Sequence, residues 1–361
     1  MSRAMESLKW FSREYHDLNG SHIDILDKPP TPLEFSRIAH ISRPVVIHGF
    51  RIPATKDLWT NEYLCDKMED RPISVSVTPN GLADAVTMGP DGASYFVEPH
   101  IELMSMRDLL SKLDGDITGS VETSEACYLQ SQNGNVYSAT YFADNTAKDF
   151  SEFHVLRPDI PSDVLWCSEA FNKHPDAVNL WIGDSKSTTS IHCDPYENIY
   201  TVVRGVKYFT LLPPSEGWCL QERTYPHAQY IRPSPSAELC IKPSPASTPP
   251  IRWSSVSDPN YPGALPPNEA HPINIALKAG ETLYLPAGWW HYVQQSDEIT
   301  IALNWWYDIE LRGMTWVLLT FLRGVNAPAV KDSKAEIENV KGEDSKIGLS
   351  ASRPHHVIFT W

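Results

Sequence analysis

Residues 190–214, SIHCDPYENIYTVVRGVKYFTLLPP, decide the fold class of this chain. Their β-branched and aromatic runs, bounded by Pro and broken at Gly, read as buried β-strand. The stretch nevertheless places His192, Asp194, Asn198 and Lys207 among its apolar residues. Because burying an ionisable group without a partner is costly, these side chains either face solvent or serve something in the interior.

The same pattern continues over about residues 178–308. The runs AVNLWIG, INIALKAGETLYLPAGWWHYVQQS and ITIALNWWYD are short, rich in β-forming residues and separated by Gly, Pro and Asp. No helix-length pattern interrupts them. This density of strands predicts an antiparallel barrel or jelly roll and disfavours a parallel doubly wound sheet.

The predicted domain organisation places this β-rich core in the second half of the chain. Thr31 is the predicted N-cap of a short helix that precedes the strand PVVIHGF. The apolar segment MTWVLLTFLRGV predicts a helix after the core, and pairing with a second copy is one way to cover it. The predicted segments are helices and strands packing on the core at 1–125, the core at 126–310 with a Pro-rich loop inserted at 227–272, the C-terminal helix at 311–328 and a flexible tail at 329–361.

Composition limits the classes of partner. The 361 residues carry a net charge of −15, which argues against a nucleic-acid binder and is compatible with a basic protein partner. The six cysteines are scattered without a CxxC pair, so we expect reduced thiols and neither a zinc cluster nor a disulfide framework. We find no signal-peptide pattern and no apolar run of about 18 residues. These features predict a cytoplasmic protein, with an additional nuclear location left open.

The spacing of two histidines and a carboxylate suggests a metal site. His192 and Asp194 are two residues apart, and the alternation of a strand would place both on one face. His291 follows in a second strand-like run. Two imidazoles and one carboxylate form a facial triad that leaves metal positions open and suits non-haem Fe(II). An HxD pair also occurs by chance, with the histidine on the surface or in the core.

Lys207 adds a second signal. It follows a predicted hairpin turn at Arg204-Gly205, which would return it toward the strand of His192. A lysine inside an apolar strand needs an anion. A dicarboxylate such as 2-oxoglutarate would supply one, with its other end on the metal. The alternative is that Lys207 points outward.

Together these motifs resemble the JmjC hydroxylases, which are Fe(II)- and 2-oxoglutarate-dependent oxygenases. Within that family, the sequence most resembles the small single-domain lysyl hydroxylases that act on developmentally regulated GTP-binding proteins. The stretches that carry this likeness are LDKPPTPLEF, RPVVI, SVTPNGLADAV and PDAVNLWIGDSKSTTSIH. The resemblance covers roughly residues 25–325, without the Pro-rich insert. It implies a mainly β fold, with a double-stranded β-helix (cupin or jelly-roll) core and flanking N-terminal and C-terminal helices.

The resemblance also implies roles for single residues. Asn198 and Asn304 match amides near the iron, and Tyr200 shares the face of Asn198 by alternation. Thr189 could instead be a simple β-former, and Tyr128 a core aromatic. The implied iron ligands are His192, Asp194 and His291, and the implied contacts of the distal 2-oxoglutarate carboxylate are Lys207, Thr189 and Tyr128.

The implied reaction consumes O₂ and 2-oxoglutarate and hydroxylates carbon 3 of a lysine in a GTP-binding protein, and the implied assembly is a homodimer. Asp84 and Glu197 are candidate partners of the substrate ammonium. The alternatives are a histone lysine demethylase, a histone-tail peptidase, a catalytically inactive JmjC scaffold, and a cupin isomerase or storage protein.

Overall fold

The structure is a computed structural model that describes residues 3–114, 125–132, 134–144 and 151–325. The predicted tail at 329–361 lies outside these residues. Two short 3₁₀ helices lie at His154–Asp159 and Pro214–Leu220. The α-helices are α1 Arg3–Asn19, α2 Pro32–Ile41, α3 Asn61–Met68, α4 Met106–Asp114, α5 Ala139–Asp144, α6 Leu165–Phe171 and α7 Met314–Val325. The strands are β1 Asp24–Leu26, β2 Val45–Ile47, β3 Ile73–Thr78, β4 Leu82–Ala83, β5 Ala85–Met88, β6 Ser94–Glu98, β7 His100–Met104, β8 Ala126–Tyr128, β9 Ala177–Gly183, β10 Thr188–His192, β11 Tyr196–Arg204, β12 Val206–Leu212, β13 Arg223–Tyr225, β14 His227–Ile231, β15 Cys240–Pro243, β16 Ile251–Trp253, β17 Ile273–Lys278, β18 Thr282–Leu285, β19 Trp290–Gln295 and β20 Thr300–Asp308.

Two facing sheets form the core. One has the strand order β1-β2-β18-β11-β20-β9, and the other has the order β17-β12-β19-β10-β4. From β9 to β12 and again from β17 to β20 the chain passes back and forth between the two sheets, and within each sheet these eight strands pair antiparallel. This is a double-stranded β-helix with helices at both ends of the chain. The predicted mainly β fold with flanking helices is confirmed.

The turn at Arg204-Gly205 is a corner between the two sheets. In the described part of the chain, β11 pairs with β18 and β20, whereas β12 pairs with β17 and β19. The predicted hairpin is therefore wrong. A tight turn is compatible with either arrangement, and pairing with distant strands decides between them. Gly205 has φ +74°, and an added Cβ would lie 2.4 Å from the Thr300 hydroxyl oxygen.

The N-terminal segments pack onto and extend the core. Thr31 caps α2 in a capping box with Glu34, as the sequence predicts. Phe35 of α2 is fully buried, with its ring centroid 4.7 Å from that of Trp166 in α6. Strand β2 pairs with β18, and β4 adds a parallel strand beside β10. The proposed division at residues 125 and 126 stays a prediction.

The Pro-rich insert at 227–272 is more regular than the long loop that the sequence predicted. It contains β14, β15 and β16, and β14 pairs in parallel with β6 of the N-terminal region. The prolines lie mainly outside these strands, and Ala228 and Tyr230 alternate with more exposed neighbours. A composition-based interpretation overlooks such a short alternation.

Helix α7 follows the core, within the predicted range 311–328. Its residues Leu319 and Leu322 are buried against the body, whereas Met314, Val317 and Phe321 are exposed. Among the described residues, no helix has both the length and the apolar character needed to cross a membrane.

Candidate active site

His192, Asp194 and His291 converge at one end of the core. One carboxylate oxygen of Asp194 lies 3.7 Å from His192 Nε2 and 3.6 Å from His291 Nε2. His192 ends β10 and His291 lies directly opposite it on β19. Asp194 lies just beyond the end of β10, not on the strand as the sequence predicted, and its carbonyl accepts a hydrogen bond of 2.8 Å from Gly288 N–H.

Backbone carbonyls orient both imidazoles. His192 Nδ1 lies 2.8 Å from the carbonyl oxygen of Ser190, and His291 Nδ1 lies 3.0 Å from that of Trp289. Because each carbonyl needs a donor, the proton sits on Nδ1 and the Nε2 lone pair points toward Asp194. The donor set therefore fits a transition metal such as Fe(II), with two oriented imidazoles and one carboxylate.

The three groups of the triad shift one another's pKa values. Burial alone would lower the pKa of His192, but the adjacent Asp194 carboxylate raises it above its ordinary value. Burial and the nearby His192 lower the pKa of His291 to about 4. Burial opposes ionisation of Asp194, yet His192 and His291 hold its pKa below the ordinary value. Near neutral pH, Asp194 is thus a carboxylate and His291 a neutral imidazole, the forms that bind a metal.

Lys207 is fully buried without an acidic partner. Its Nζ donates to Gln295 Oε1 at 2.6 Å and to the Tyr128 hydroxyl at 3.1 Å, and within the described ranges no carboxylate pairs with it. Burial holds the pKa of Lys207 well below its ordinary value. A buried amine with two neutral acceptors is the environment that an incoming carboxylate would complete.

An irregularity in β10 brings Thr189 toward the same site. Thr189 pairs with Val293 and His192 with His291, and the register shifts between these pairs. In a regular strand, residues three apart face opposite sides, so the bulge is what turns both toward the cleft. Burial raises the pKa of Tyr128, and the Thr189 side chain partly opposes that rise.

These residues surround an open cleft with about 890 Å³ of empty space, its solvent-exposed mouth included. Lys207 does not line the cleft; it lies one layer deeper, against Tyr128. The other eight predicted site residues all line the cleft: Tyr128, Thr189, His192, Asp194, Asn198, Tyr200, His291 and Asn304.

A chain of amides links the two predicted asparagines to one that the sequence analysis missed. Asn304 donates to Asn198 at 3.1 Å and accepts from Asn179 at 3.2 Å. The indole of Trp181 also donates to Asn304, at 2.8 Å. Asn179 and Trp181 alternate in AVNLWIG, and an amide inside so apolar a strand was the available signal.

Three aromatic side chains that the sequence analysis did not assign to the site share the cleft with the triad: Trp253 of the insert, Tyr196 of β11 and Trp306 of β20. Trp253 stacks on His192 with the centroids 5.8 Å apart, and its indole donates to Ser190. Tyr196 stacks on Trp306 at 4.9 Å. All three rings line the cleft. Trp253 lies in a Pro-rich segment, where nothing in the sequence indicated proximity to the triad.

The two candidate substrate carboxylates lie in different places. Asp84 lines the cleft, and Gln130 donates to its carboxylate at 2.9 Å. No lysine or arginine pairs with Asp84 in the described part of the chain, and burial, followed by the charge of Glu98, raises its pKa to about 7. Glu197 accepts from the Tyr284 hydroxyl at 2.7 Å, on the opposite face of β11 from Asn198. The prediction for Glu197 is therefore wrong.

Comparisons with known proteins agree with this site. A family model described as a cupin-like domain matches residues 30–312. The lysine-specific demethylase JMJ32 of Arabidopsis thaliana is 36% identical over 86% of this chain and 88% of its own length. The bifunctional peptidase and (3S)-lysyl hydroxylase JMJD7 of Homo sapiens is 35% identical over 80% of this chain and 84% of its own. The JmjC domain-containing protein E of Dictyostelium discoideum is 33% identical over 83% of this chain and 88% of its own. Fold, site and relatives together place the chain in the cupin-like JmjC family of oxygenases, whose enzymes use Fe(II) and 2-oxoglutarate.

Proposed function

We propose that this protein is an Fe(II)- and 2-oxoglutarate-dependent lysyl hydroxylase that oxidises carbon 3 of a lysine in a GTP-binding protein. The observation that carries the oxygenase activity is that the cleft of an oriented His-Asp-His triad is also lined by Tyr128, and that Tyr128 contacts a buried lysine with no acidic partner among the described residues. A cupin isomerase or storage protein has no need of the second feature. An inactive scaffold needs neither.

Each residue has a defined task in this proposal. His192, Asp194 and His291 hold the iron, and Lys207, Tyr128 and Thr189 hold the distal carboxylate of 2-oxoglutarate. When bound, the iron and 2-oxoglutarate supply an oxidant from O₂, releasing succinate and CO₂. The protein orients the ligands and lines the cleft with aromatic rings that exclude water.

Asp84 supports a cationic side chain as the substrate. Its carboxylate faces the cleft, is held by the Gln130 amide and lacks a lysine or arginine partner among the described residues. An unmodified lysine ammonium would supply the missing cation together with N–H donors. A trimethylated ammonium has no N–H to donate, whereas unmodified, monomethylated and dimethylated ammonium groups have one or more, so Asp84 disfavours a trimethylated lysine as the substrate.

Demethylation is the second candidate, because the relative with 36% identity is named a lysine-specific demethylase.

The proposal of a GTP-binding protein as the substrate rests on the resemblance of the sequence motifs. The exposed apolar residues of α7 support a homodimer. We further propose a cytoplasmic location, with a nuclear pool left open.

The test is incubation of the purified chain with Fe(II), 2-oxoglutarate, ascorbate and a recombinant developmentally regulated GTP-binding protein, followed by tandem mass spectrometry. We expect one added oxygen on a single lysine, absent with Asp194→Ala. A parallel arm contains methylated histone peptides.

The other outcomes separate the alternatives. Loss of methyl groups in the histone arm alone would favour the demethylase, and a cleaved tail would favour the peptidase. Iron binding without succinate release in any arm would favour the catalytically inactive JmjC scaffold.

A further inference from the structure

Helix α7 contacts the segment that carries the carboxylate ligand. The guanidinium of Arg323, with 13% of the side chain exposed, lies 4.0 Å from the Cys193 sulfur. Leu319 packs directly on Gly288, where an added Cβ would lie 2.5 Å from a leucine methyl. The N–H of Gly288 in turn donates to the carbonyl of Asp194. One helix thus contacts the turn that follows β10 directly at Cys193, and indirectly through Gly288.

Arg323 is itself fixed by a buried acidic partner. One nitrogen lies 3.6 Å from Glu222, whose side chain is 2% exposed. Arg252 also pairs with Glu222 and donates to the carbonyl of Arg323 at 2.8 Å. Separating a buried ion pair leaves an uncompensated buried charge and is strongly destabilising, so Glu222 holds the guanidinium of Arg323 in place.

The carboxylate ligand needs such support more than the imidazoles do. His192 and His291 stand on paired strands, and backbone carbonyls orient their rings. Asp194 has left the strand, and its main chain is held there by the hydrogen bond from Gly288. A ligand on a turn keeps its position only when its surroundings restrain it.

We propose that α7 holds the carboxylate ligand in place: Arg323 is a positioning residue that fixes Cys193, and Leu319 fixes Gly288, so together they set where Asp194 presents its oxygen to the metal. This inference rests on the proposed metal site. Neither Arg323 nor Leu319 lines the cleft. The effect passes through the turn at Cys193 and Asp194.

The experiment is a titration of the full chain with Co(II), read from the visible absorption of the bound ion. Arg323→Met keeps the length of the side chain and removes the charge, and we expect its Co(II) affinity to fall by about tenfold. Leu319→Ala is expected to show a smaller loss. Arg323→Lys keeps the charge but has one nitrogen in place of the two that contact Cys193 and Glu222, so it is expected to restore part of the affinity and of the wild-type spectrum.

Two controls separate positioning from stability. Arg312→Met removes an arginine just before α7 that is 90% exposed, and it is expected to bind Co(II) as the wild type does. Leu109→Ala truncates a fully buried core residue of α4, so it lowers the unfolding temperature without a contact to the turn. We expect Leu109→Ala to keep both the affinity and the spectrum.

The outcomes are distinct. Equal Co(II) binding by the wild type and Asp194→Ala would overturn the metal site itself. Wild-type affinity and spectrum in both Arg323→Met and Leu319→Ala would overturn the positioning role alone. If Arg323→Met fails to fold, Leu319→Ala decides the question by the same comparison.

Discussion

The two ends of the candidate site, the metal triad and the buried Lys207 behind Tyr128, treat buried charge in different ways. At the metal end, Asp194 lies between His192 and His291, and its carboxylate and His192 stabilise each other's charged forms before any ligand arrives. At the lysine end, the partners of Lys207 among the described residues are two neutral acceptors, Gln295 and Tyr128. The metal end is therefore prepared in advance, whereas the lysine end is complete only when an anion enters. Binding of the two ligands should be separable by mutation.

The largest effect is expected at the metal end. Asp194→Ala removes the carboxylate and leaves two imidazoles, so we expect metal affinity to fall by more than about a hundredfold, beyond the loss from a perturbed outer partner. Co(II) titration measures this loss, and the succinate assay should show no turnover. Asp66→Ala, an exposed acid on α3, is the matched control. Co(II) affinity in Asp194→Ala within threefold of the wild type would place the metal elsewhere.

Lys207→Met should weaken 2-oxoglutarate binding at the lysine end and leave metal binding intact. Methionine fills a similar volume but cannot pair with a carboxylate, and the loss of one partner from a buried ion pair costs about 3–5 kcal/mol. We expect 2-oxoglutarate affinity to fall by about a hundredfold or more, with Co(II) affinity nearly unchanged. Calorimetric titration of the Co(II)-loaded chain with 2-oxoglutarate measures the first affinity, and titration of the metal-free chain with Co(II) measures the second. A parallel loss of metal affinity would show that the ends are coupled.

The pH dependence of the unfolding free energy should also reveal the buried amine of Lys207. The folded pKa of Lys207 lies well below its ordinary value of 10.5, so below pH 10.5 the unfolded chain binds a proton that the folded chain does not. Between the folded pKa and pH 10.5, the free energy of unfolding therefore rises as the pH rises. Relative to Lys207→Met, the unfolding free energy of the wild type should increase by up to about 1.4 kcal/mol per pH unit.

Denaturant unfolding of both proteins between pH 7.5 and 9.5 measures this slope. Saturating 2-oxoglutarate with Co(II) should flatten it, because the paired amine keeps its proton in the folded state. Equal slopes for the ligand-free wild type and Lys207→Met would mean that Lys207 is already charged in the folded protein.

The sequence predicted the fold and the gathering of the triad because both rest on strong patterns. Alternation over short runs marks the strands, and His192 two residues before Asp194 is unusual in an apolar stretch. Once the chain is a double-stranded β-helix, β19 lies beside β10 and carries His291 to His192. The resemblance to a known family supplied the remaining assignments.

Cross-strand register lay beyond the sequence. Gln295 stands opposite Lys207 and Asn179 opposite Asn304, and a slip of one residue would replace each neighbour by another. The corner at Gly205 was misread as a hairpin for the same reason, since distant strands decide it.

A substitution beside the bulge in β10 gives the test with the smallest expected change in affinity. Thr189 faces the cleft with His192 only because the register shifts between them, and no sequence pattern announced that shift. Thr189→Val keeps the β-branched shape and removes the hydroxyl, which costs about 1 kcal/mol for one hydrogen bond. We expect about fivefold weaker 2-oxoglutarate binding, unchanged Co(II) affinity and full rescue by Thr189→Ser. Equal 2-oxoglutarate affinity in all three proteins would make Thr189 a simple β-former, and Lys207 with Tyr128 would then hold the distal carboxylate without it.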